Sequence, residues 1–348
     1  LSGSLLVARG DTVLYEGSFG LANRELNVPV EAETRFNIAS VTKPMTQIIA
    51  LDLLESEVLA ADDPISKWLP HFPQGDAITV RMLMQHRAGI PHRVTSDADE
   101  ARPLTAADVV DRAHEKELLF EPGSESSYSS AGYSVLARVL ELASGVSYPS
   151  LLAESVFQPA AMTHSIHPVG YGLIPQRASS YQFNSAGEFI NSPLKDYSYL
   201  VGAGSVFSTP GDLISLMRTV VNGGLGETVA DTLESDQGLA WNGRTDGYRT
   251  FADYHAATEV YVAFVSNILT GAGDLLRRHL PRLATGESVD FPVVPNPQAV
   301  RVDPERLAGY EGDYQLRPGS VLTLSVDGDE VRMSGWLLIP TSECTFFS

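Results

Sequence analysis

Ser40 and Lys43 stand three residues apart at the head of an apolar stretch, a spacing that on a helix puts both side chains on one face, about 5–6 Å apart at Cβ. A serine hydroxyl is a weak nucleophile at neutral pH and needs a base within hydrogen-bond reach. A lysine one turn on can be that base once desolvation or a neighbour lowers its pKa. A helix start adds free backbone N–H groups and the positive end of the helix dipole, both suited to an oxyanion. The chemistry such a pair carries is acyl transfer through a covalent serine intermediate. Spacing alone leaves a second account open, in which Ser40 is an N-cap and Lys43 a surface lysine. Ser192-Pro193-Leu194-Lys195 matches the same pattern, but it holds a proline and no apolar helix follows, so its two side chains need not face each other.

The elements that must position these residues are legible in outline. Met45, Ile48, Ile49, Leu51, Leu53 and Leu54 recur at helical spacing and predict a buried helix over Thr42 to Leu59, with Ser40 and Thr42 as start signals. Ser4 to Gly20 alternates apolar and polar residues around Gly10-Asp11 and predicts a β-hairpin. From about Asp62 to Asp231 short helices alternate with Gly/Pro/Ser-rich loops, and strands return between Tyr248 and Asn267. Strands at both ends with helices between them predict an α+β domain over 1–290 whose sheet is closed by its two termini. Pro292, Pro295, Pro297 and Pro304 mark a stiff linker over 291–306. Beyond it, the runs Val321 to Val326 and Val331 to Trp336 flank an Asp327-Gly328 turn and predict a small β module over 307–348. About forty residues of strand are too few to be stable alone, so the module docks on the main domain or continues further.

Composition removes whole classes of function. The 348 residues carry 43 acidic against 24 basic side chains, a net charge of -19. Such a surface repels phosphate backbones and anionic lipid and argues against nucleic acid as a partner. Cys344 is the only cysteine, so neither an intrachain disulfide nor a Cys/His zinc cluster is expected. His164 and His167 lie three apart in a stretch that reads as loop, with no carboxylate beside them, and no metal site is expected there. No apolar run approaches the ~20 residues needed to span a bilayer.

The surroundings of Ser40 say more. Phe36 to Thr46, with Glu16 to Asn23 before it, resembles the serine β-lactamase and penicillin-binding-protein superfamily, in its class C branch. Further matches follow in order: Asp62 to Pro70, Ile78 to Pro91, Phe120 to Ser124, Tyr128 to Tyr133, Gly202 to Leu213 and Gly243 to Tyr248. The resemblance implies a transpeptidase-like fold, an antiparallel sheet flanked by helices, with a helical subdomain and the site in the cleft between them. It implies Ser40 as nucleophile, Lys43 as its partner, and Tyr128, at the tyrosine of the second motif Tyr-x-Asn, as proton shuttle, whether as phenolate or as hydrogen-bonded base. Ser130 stands where the family has asparagine, and its hydroxyl can still bond lysine or substrate. Trp241-Asn242-Gly243 corresponds to the third motif, Lys-Thr-Gly or His-x-Gly, on a strand beside the nucleophile. The oxyanion hole would then be the backbone N–H groups of Ser40 and Arg244, with Trp241, Asn242, Gly243 and Ser130 along the substrate. The interval from Leu213 to Trp241 is short for the family, where an extra strand pair usually precedes this motif.

No metal or organic cofactor is required by that chemistry. The partner implied is a small ester, amide or lactam. Trp-x-Gly with a degenerate second motif is similar to family VIII carboxylesterases, and an indole in place of a cation favours neutral short acyl esters over penicillins or D-Ala-D-Ala peptides. The alternatives are a D,D-peptidase, a β-lactamase, or a penicillin-binding sensor without turnover. The resemblance also implies a periplasmic or secreted location. Leu307 to Tyr314 resembles the start of the lipocalin-like module often appended to these hydrolases.

Overall fold

A computed structural model of the chain describes residues 2–184, 187–290, 300–317, 320–328, 330–333 and 336–347. Five strands build the main sheet: β1 (Gly3–Arg9), β2 (Thr12–Phe19), β3 (Gly238–Thr245), β4 (Tyr248–His255) and β5 (Val260–Ser266). Their order is β2-β1-β5-β4-β3, all antiparallel. The expected N-terminal hairpin turns at Gly10, whose φ of 52° suits a residue without a Cβ. The register Gly3↔Ser266 through Arg9↔Val260 joins the domain's first strand to its last.

Every residue of β5 is buried, as in a sheet covered on both faces. On one face Leu5, Val7, Phe251, Val262 and Phe264 pack under Leu276 and Leu280 of the helix Ala272–Ala284. The other face joins the main core, which runs into the helical part of the molecule. There α1 (Thr42–Glu55) is buried along most of its length, polar Thr42, Lys43 and Thr46 included. It packs on α2 (Ser130–Ser144), which is capped by Ser129 Oγ at its start and by Gly145 in the left-handed region at its end. The third long helix, α3 (Pro210–Val221), starts with Thr209 as cap and Pro210 in the first turn.

The helix after Ser40 ends at Glu55 rather than Leu59, because Glu57 takes a left-handed conformation and turns the chain so that Leu59 is buried from outside the helix. Between α3 and β3 the described chain holds only a short helix, Glu227–Leu233, and no added strand pair. The C-terminal strands Gly312–Arg317, Ser320–Asp327, Glu330–Met333, Trp336–Pro340 and Phe346–Phe347 form a separate meander in chain order. Its small core contains Val302, Leu307, Val331 and Leu338. Of the expected linker, residues 291–299 lie outside the described residues, and Pro304 opens a short helix, Pro304–Ala308, instead of extended chain.

Candidate active site

The approach to Ser40 is set by Asn37. Its amide donates to the carbonyl oxygens of Gly204 (2.9 Å) and Val206 (3.3 Å), and its Oδ1 accepts from Ala39 N–H at 3.1 Å. Held this way, buried Ala39 adopts φ 49°, a conformation that costs an alanine on the order of 1–2 kcal/mol. The chain then makes a 3₁₀ turn, Ala39–Val41, and enters α1. Neither Ser40 nor Thr42 caps the helix with its side chain: Thr42 Oγ1 accepts from Val206 N–H, and Ser40 Oγ turns to Lys43 and Tyr128.

Lys43 is almost fully buried. Its Nζ lies 2.9 Å from the Ala203 carbonyl, 3.2 Å from Ser130 Oγ and 3.1 Å from Ser40 Oγ. Burial, with no carboxylate paired to it, brings its pKa down to about 7. In the neutral amine, two N–H groups serve Ala203 and Ser130, which leaves a lone pair for the Ser40 proton.

Tyr128 immediately precedes the cap of α2, and its hydroxyl lies 2.7 Å from Ser40 Oγ. Burial raises its pKa, only partly opposed by hydrogen bonds to Ser40 and Ser130. The group at Ser40 is therefore a phenol at neutral pH rather than a phenolate. Two histidines that sequence reasoning left unassigned hold this segment. His86 Nδ1 accepts from Ser129 N–H and His92 Nδ1 from Ser130 N–H, each at 3.2 Å. Their rings flank Tyr128 with centroids 4.6 and 5.4 Å from its own. Burial first, and the nearby Lys43 second, lower both pKa values, that of His86 to about 4, so both are neutral supports.

The residues expected to form the third motif lie on β3. Along it Leu239, Trp241 and Gly243 are buried while Ala240, Asn242 and Arg244 are exposed, the two-residue alternation of a strand. Trp241 is thus 7 % exposed within the main core and does not line the cleft; Asn242 and Arg244 do. Gly243 passes so close to the turn that carries Ser40 that a Cβ on it would lie 2.2 Å from the Ile38 carbonyl oxygen and 3.1 Å from Ser40 N. Thr245 faces Tyr248 across the Asp246-Gly247 turn. Ladder bonds alternate from that closing pair, so the Arg244 N–H points out of the free edge of β3. That edge has no further strand among the described residues. Arg249, opposite Arg244, braces the strand from the other side through the Asn242 side chain and the Gly243 carbonyl.

Ser40, Tyr128, Ser130, Asn242 and Arg244 open on one cleft of about 1210 Å³. Its far walls carry Arg93, Glu100, Lys195, Asp246, Arg249 and Asp274. The second Ser-x-x-Lys is no pair: Ser192 Oγ is buried without a hydrogen-bond partner, and Lys195 reaches Glu100 and Asp246. His164 and His167 are likewise apart in role, His164 bonding Asp212 through its backbone and His167 stacking edge-on against Tyr148. Among the described residues no group of three or more His, Cys, Asp or Glu side chains is placed to hold a metal ion. No described helix is long and apolar enough to cross a membrane.

Comparison with known proteins agrees with the fold. Penicillin-binding protein 4* of Bacillus subtilis (strain 168) is 25% identical over 396 aligned positions, covering 99% of this chain and 87% of that protein. The crystal structure of a penicillin binding protein from Bacillus halodurans superposes with a TM-score of 0.72 at 25% identity, over 81% of this chain and 96% of that one. D-amino acid amidase from Ochrobactrum anthropi SV3 shares the fold with a TM-score of 0.72 at 20% identity, over 83% and 95% of the two chains. The family model described as Beta-lactamase matches residues 1–246, and with a serine, a buried lysine and a tyrosine gathered at one cleft, the chain belongs to the β-lactamase family of serine hydrolases.

Proposed function

We propose that the protein hydrolyses ester, amide or lactam bonds through an acyl-enzyme on Ser40. The observation that carries this reading is a single one: Ser40 Oγ lies within hydrogen-bond distance of both Lys43 Nζ and Tyr128 Oη. As Oγ attacks the acyl carbonyl, neutral Lys43 takes its proton. The charge that develops on the carbonyl oxygen meets the N–H groups of Ser40 and Arg244. Collapse breaks the bond to the leaving group, and the proton returns to the leaving atom through the Tyr128 hydroxyl. Water then attacks the acyl-enzyme, gives its proton to the same pair, and Ser40 is released protonated.

Neutral short acyl esters are the preferred substrates in this reading. The cleft's cations are largely balanced from within: Arg93 by Asp97 and Glu100, Lys195 by Glu100 and Asp246, Arg249 by Asp274. The net charge of -19 adds no attraction for an anion. One observation favours a second reading. Arg244 faces the cleft one residue beyond Gly243, where its guanidinium would suit a substrate carboxylate, as in a D-Ala-D-Ala peptide or a penicillin.

Labelling with a fluorophosphonate or a penicillin tests the first claim, with one adduct expected on Ser40 and none on Ser192. An adduct mapped to Ser192, or no adduct with either reagent, removes it. Comparing kcat/KM for p-nitrophenyl butyrate and a chromogenic cephalosporin, before and after Arg244→Gln, decides between the substrates. Loss of cephalosporin turnover alone in the variant supports the carboxylate reading.

A further inference from the structure

Lys195 belongs to the Ser-x-x-Lys copy that the chemistry leaves unused, yet its ammonium joins the two walls of the cleft. Its Nζ lies 2.7 Å from the Glu100 carboxylate and 2.6 Å from that of Asp246. Glu100 ends a short helix, Asp97–Glu100, in the helical wall, and its side chain is 1% exposed. Its other oxygen accepts from Arg93 Nε at 2.7 Å and from Thr95 Oγ1 at 2.9 Å, so this anchor is fixed. Asp246 sits at the turn of the β3–β4 hairpin, two residues past Arg244. Burial works against the Lys195 charge, but the two carboxylates outweigh it and raise its pKa.

The segment that carries Lys195 makes other ties to the hairpin and reaches α1 as well. Tyr197 Oη donates to the Asp246 carbonyl at 3.1 Å. Gly247 packs so tightly that a Cβ on it would lie 2.3 Å from Ser192 Oγ. Seven residues on, Gly202 O accepts from Thr46 Oγ1 of α1 at 2.6 Å, and Ala203 O accepts from Lys43 Nζ at 2.9 Å. One stretch of chain therefore touches the third-motif hairpin at one end and the catalytic helix at the other.

We propose that Lys195 is a positioning residue for acyl transfer: by clasping Asp246 to Glu100 it fixes the β3–β4 hairpin against the turn that carries Ser40, and so places the Arg244 N–H for the oxyanion. This rests on the roles given above to Ser40 and Arg244. Removing the ammonium leaves two carboxylates facing each other across the cleft, so the hairpin moves away from Glu100 rather than merely loosening. An oxyanion donor acts in the transition state, so the loss falls on kcat and not on KM.

The experiment compares Lys195→Met, Lys195→Arg and the double variant Lys195→Met/Asp246→Asn with p-nitrophenyl butyrate as substrate, with amide hydrogen exchange read over residues 238–255. Lys195→Met should lower kcat roughly ten-fold or more, short of the roughly 10²–10³-fold seen for outright loss of a donor, with KM within about three-fold. Lys195→Arg should recover most of it, and adding Asp246→Asn to Lys195→Met should raise kcat again by removing the repulsion. Hairpin amides should exchange faster in the Met variant while α1 amides stay protected. A Met variant with wild-type kcat, an Arg variant as poor as Met, or unchanged hairpin exchange would each overturn the proposal. If Lys195→Met does not fold, Asp246→Asn alone, which removes one arm of the clasp, should show a smaller kcat loss of the same kind, and wild-type kcat there would overturn it. A wild-type protein with no adduct on Ser40 would instead refute the acyl-enzyme reading, and the exchange measurement would still decide the clasp.

Discussion

Lys43 Nζ lies 3.1 Å from Ser40 Oγ in a pocket where burial brings the lysine's pKa down to about 7. In the proposed mechanism the reactive form is the neutral amine, so activity should follow its deprotonation. With a neutral ester, kcat/KM should rise with pH, reach half its limit near pH 7 and then level off. Lys43→Ala should cost roughly 10²–10⁴-fold. Lys43→Arg should be as inactive, because a guanidinium keeps its proton at any working pH. A pH profile flat from 5 to 9 in the wild type would assign the base elsewhere.

Tyr128 is half-exposed and gives its hydroxyl to Ser40, so its deletion tests chemistry more than folding. Tyr128→Phe should slow acylation by roughly 10²–10⁴-fold with a melting temperature close to wild type. Near-normal turnover in this variant, set beside an inactive Lys43→Ala, would make the tyrosine a packing residue and give the whole proton path to lysine.

Gly243→Ala probes the contact between strand and nucleophile. The added methyl would meet the Ile38 carbonyl at 2.2 Å, a backbone atom that cannot swing aside. The strand must shift away from Ser40, at a cost of roughly 1–3 kcal/mol in stability, and activity should fall at least ten-fold. Chemical denaturation and steady-state kinetics on one preparation measure both effects. Full activity would show that β3 does not supply the second oxyanion donor.

His167 should make the fold sensitive to acid. Both its ring nitrogens are buried without a partner, and burial pushes its pKa from 6.5 to about 4. Below pH 6.5 the unfolded chain takes up a proton that the folded chain refuses, so stability is lost as pH falls towards 4 and is fully present above 6.5. The loss at pH 5 is on the order of 2 kcal/mol. Urea midpoints at pH 7 and pH 5 should differ less in His167→Phe than in the wild type, and an equal difference in both would sink the assignment.

Local signals carried most of the fold. The hairpin about Gly10, the start of α1 and the strands after Tyr248 all formed where alternation or helical spacing put them. Ser40 with Lys43 was readable because their three-residue spacing at a helix start keeps the two side chains together. Trp241 shows the cost of leaning on a motif's first letter: Leu239, Trp241 and Gly243 share one parity and Ala240, Asn242 and Arg244 the other, so period-two reasoning, had it been applied, would have parted the indole from the guanidinium. His86, His92 and Lys195 were not readable, since each acts across about 40 or more residues on a backbone amide or a carboxylate. Proline in Ser192–Lys195 correctly argued against a serine–lysine pair but said nothing of what the lysine does alone.

The pairing of β1 with β5, from Gly3↔Ser266 to Arg9↔Val260, dictates when this chain can fold. During synthesis β1 and β2 can zip together early, but the far edge of β1 waits some 250 residues for its neighbour, and contacts so distant in sequence close slowly. The family match stops at residue 246, before β4 and β5. A fragment cut there would keep Ser40, Lys43, Tyr128 and Arg244, yet lose the two strands that join β1 to β3. Its β3 would have no ladder and the apolar edge of β1 no cover, so such a fragment should emerge as an aggregate rather than as a smaller enzyme.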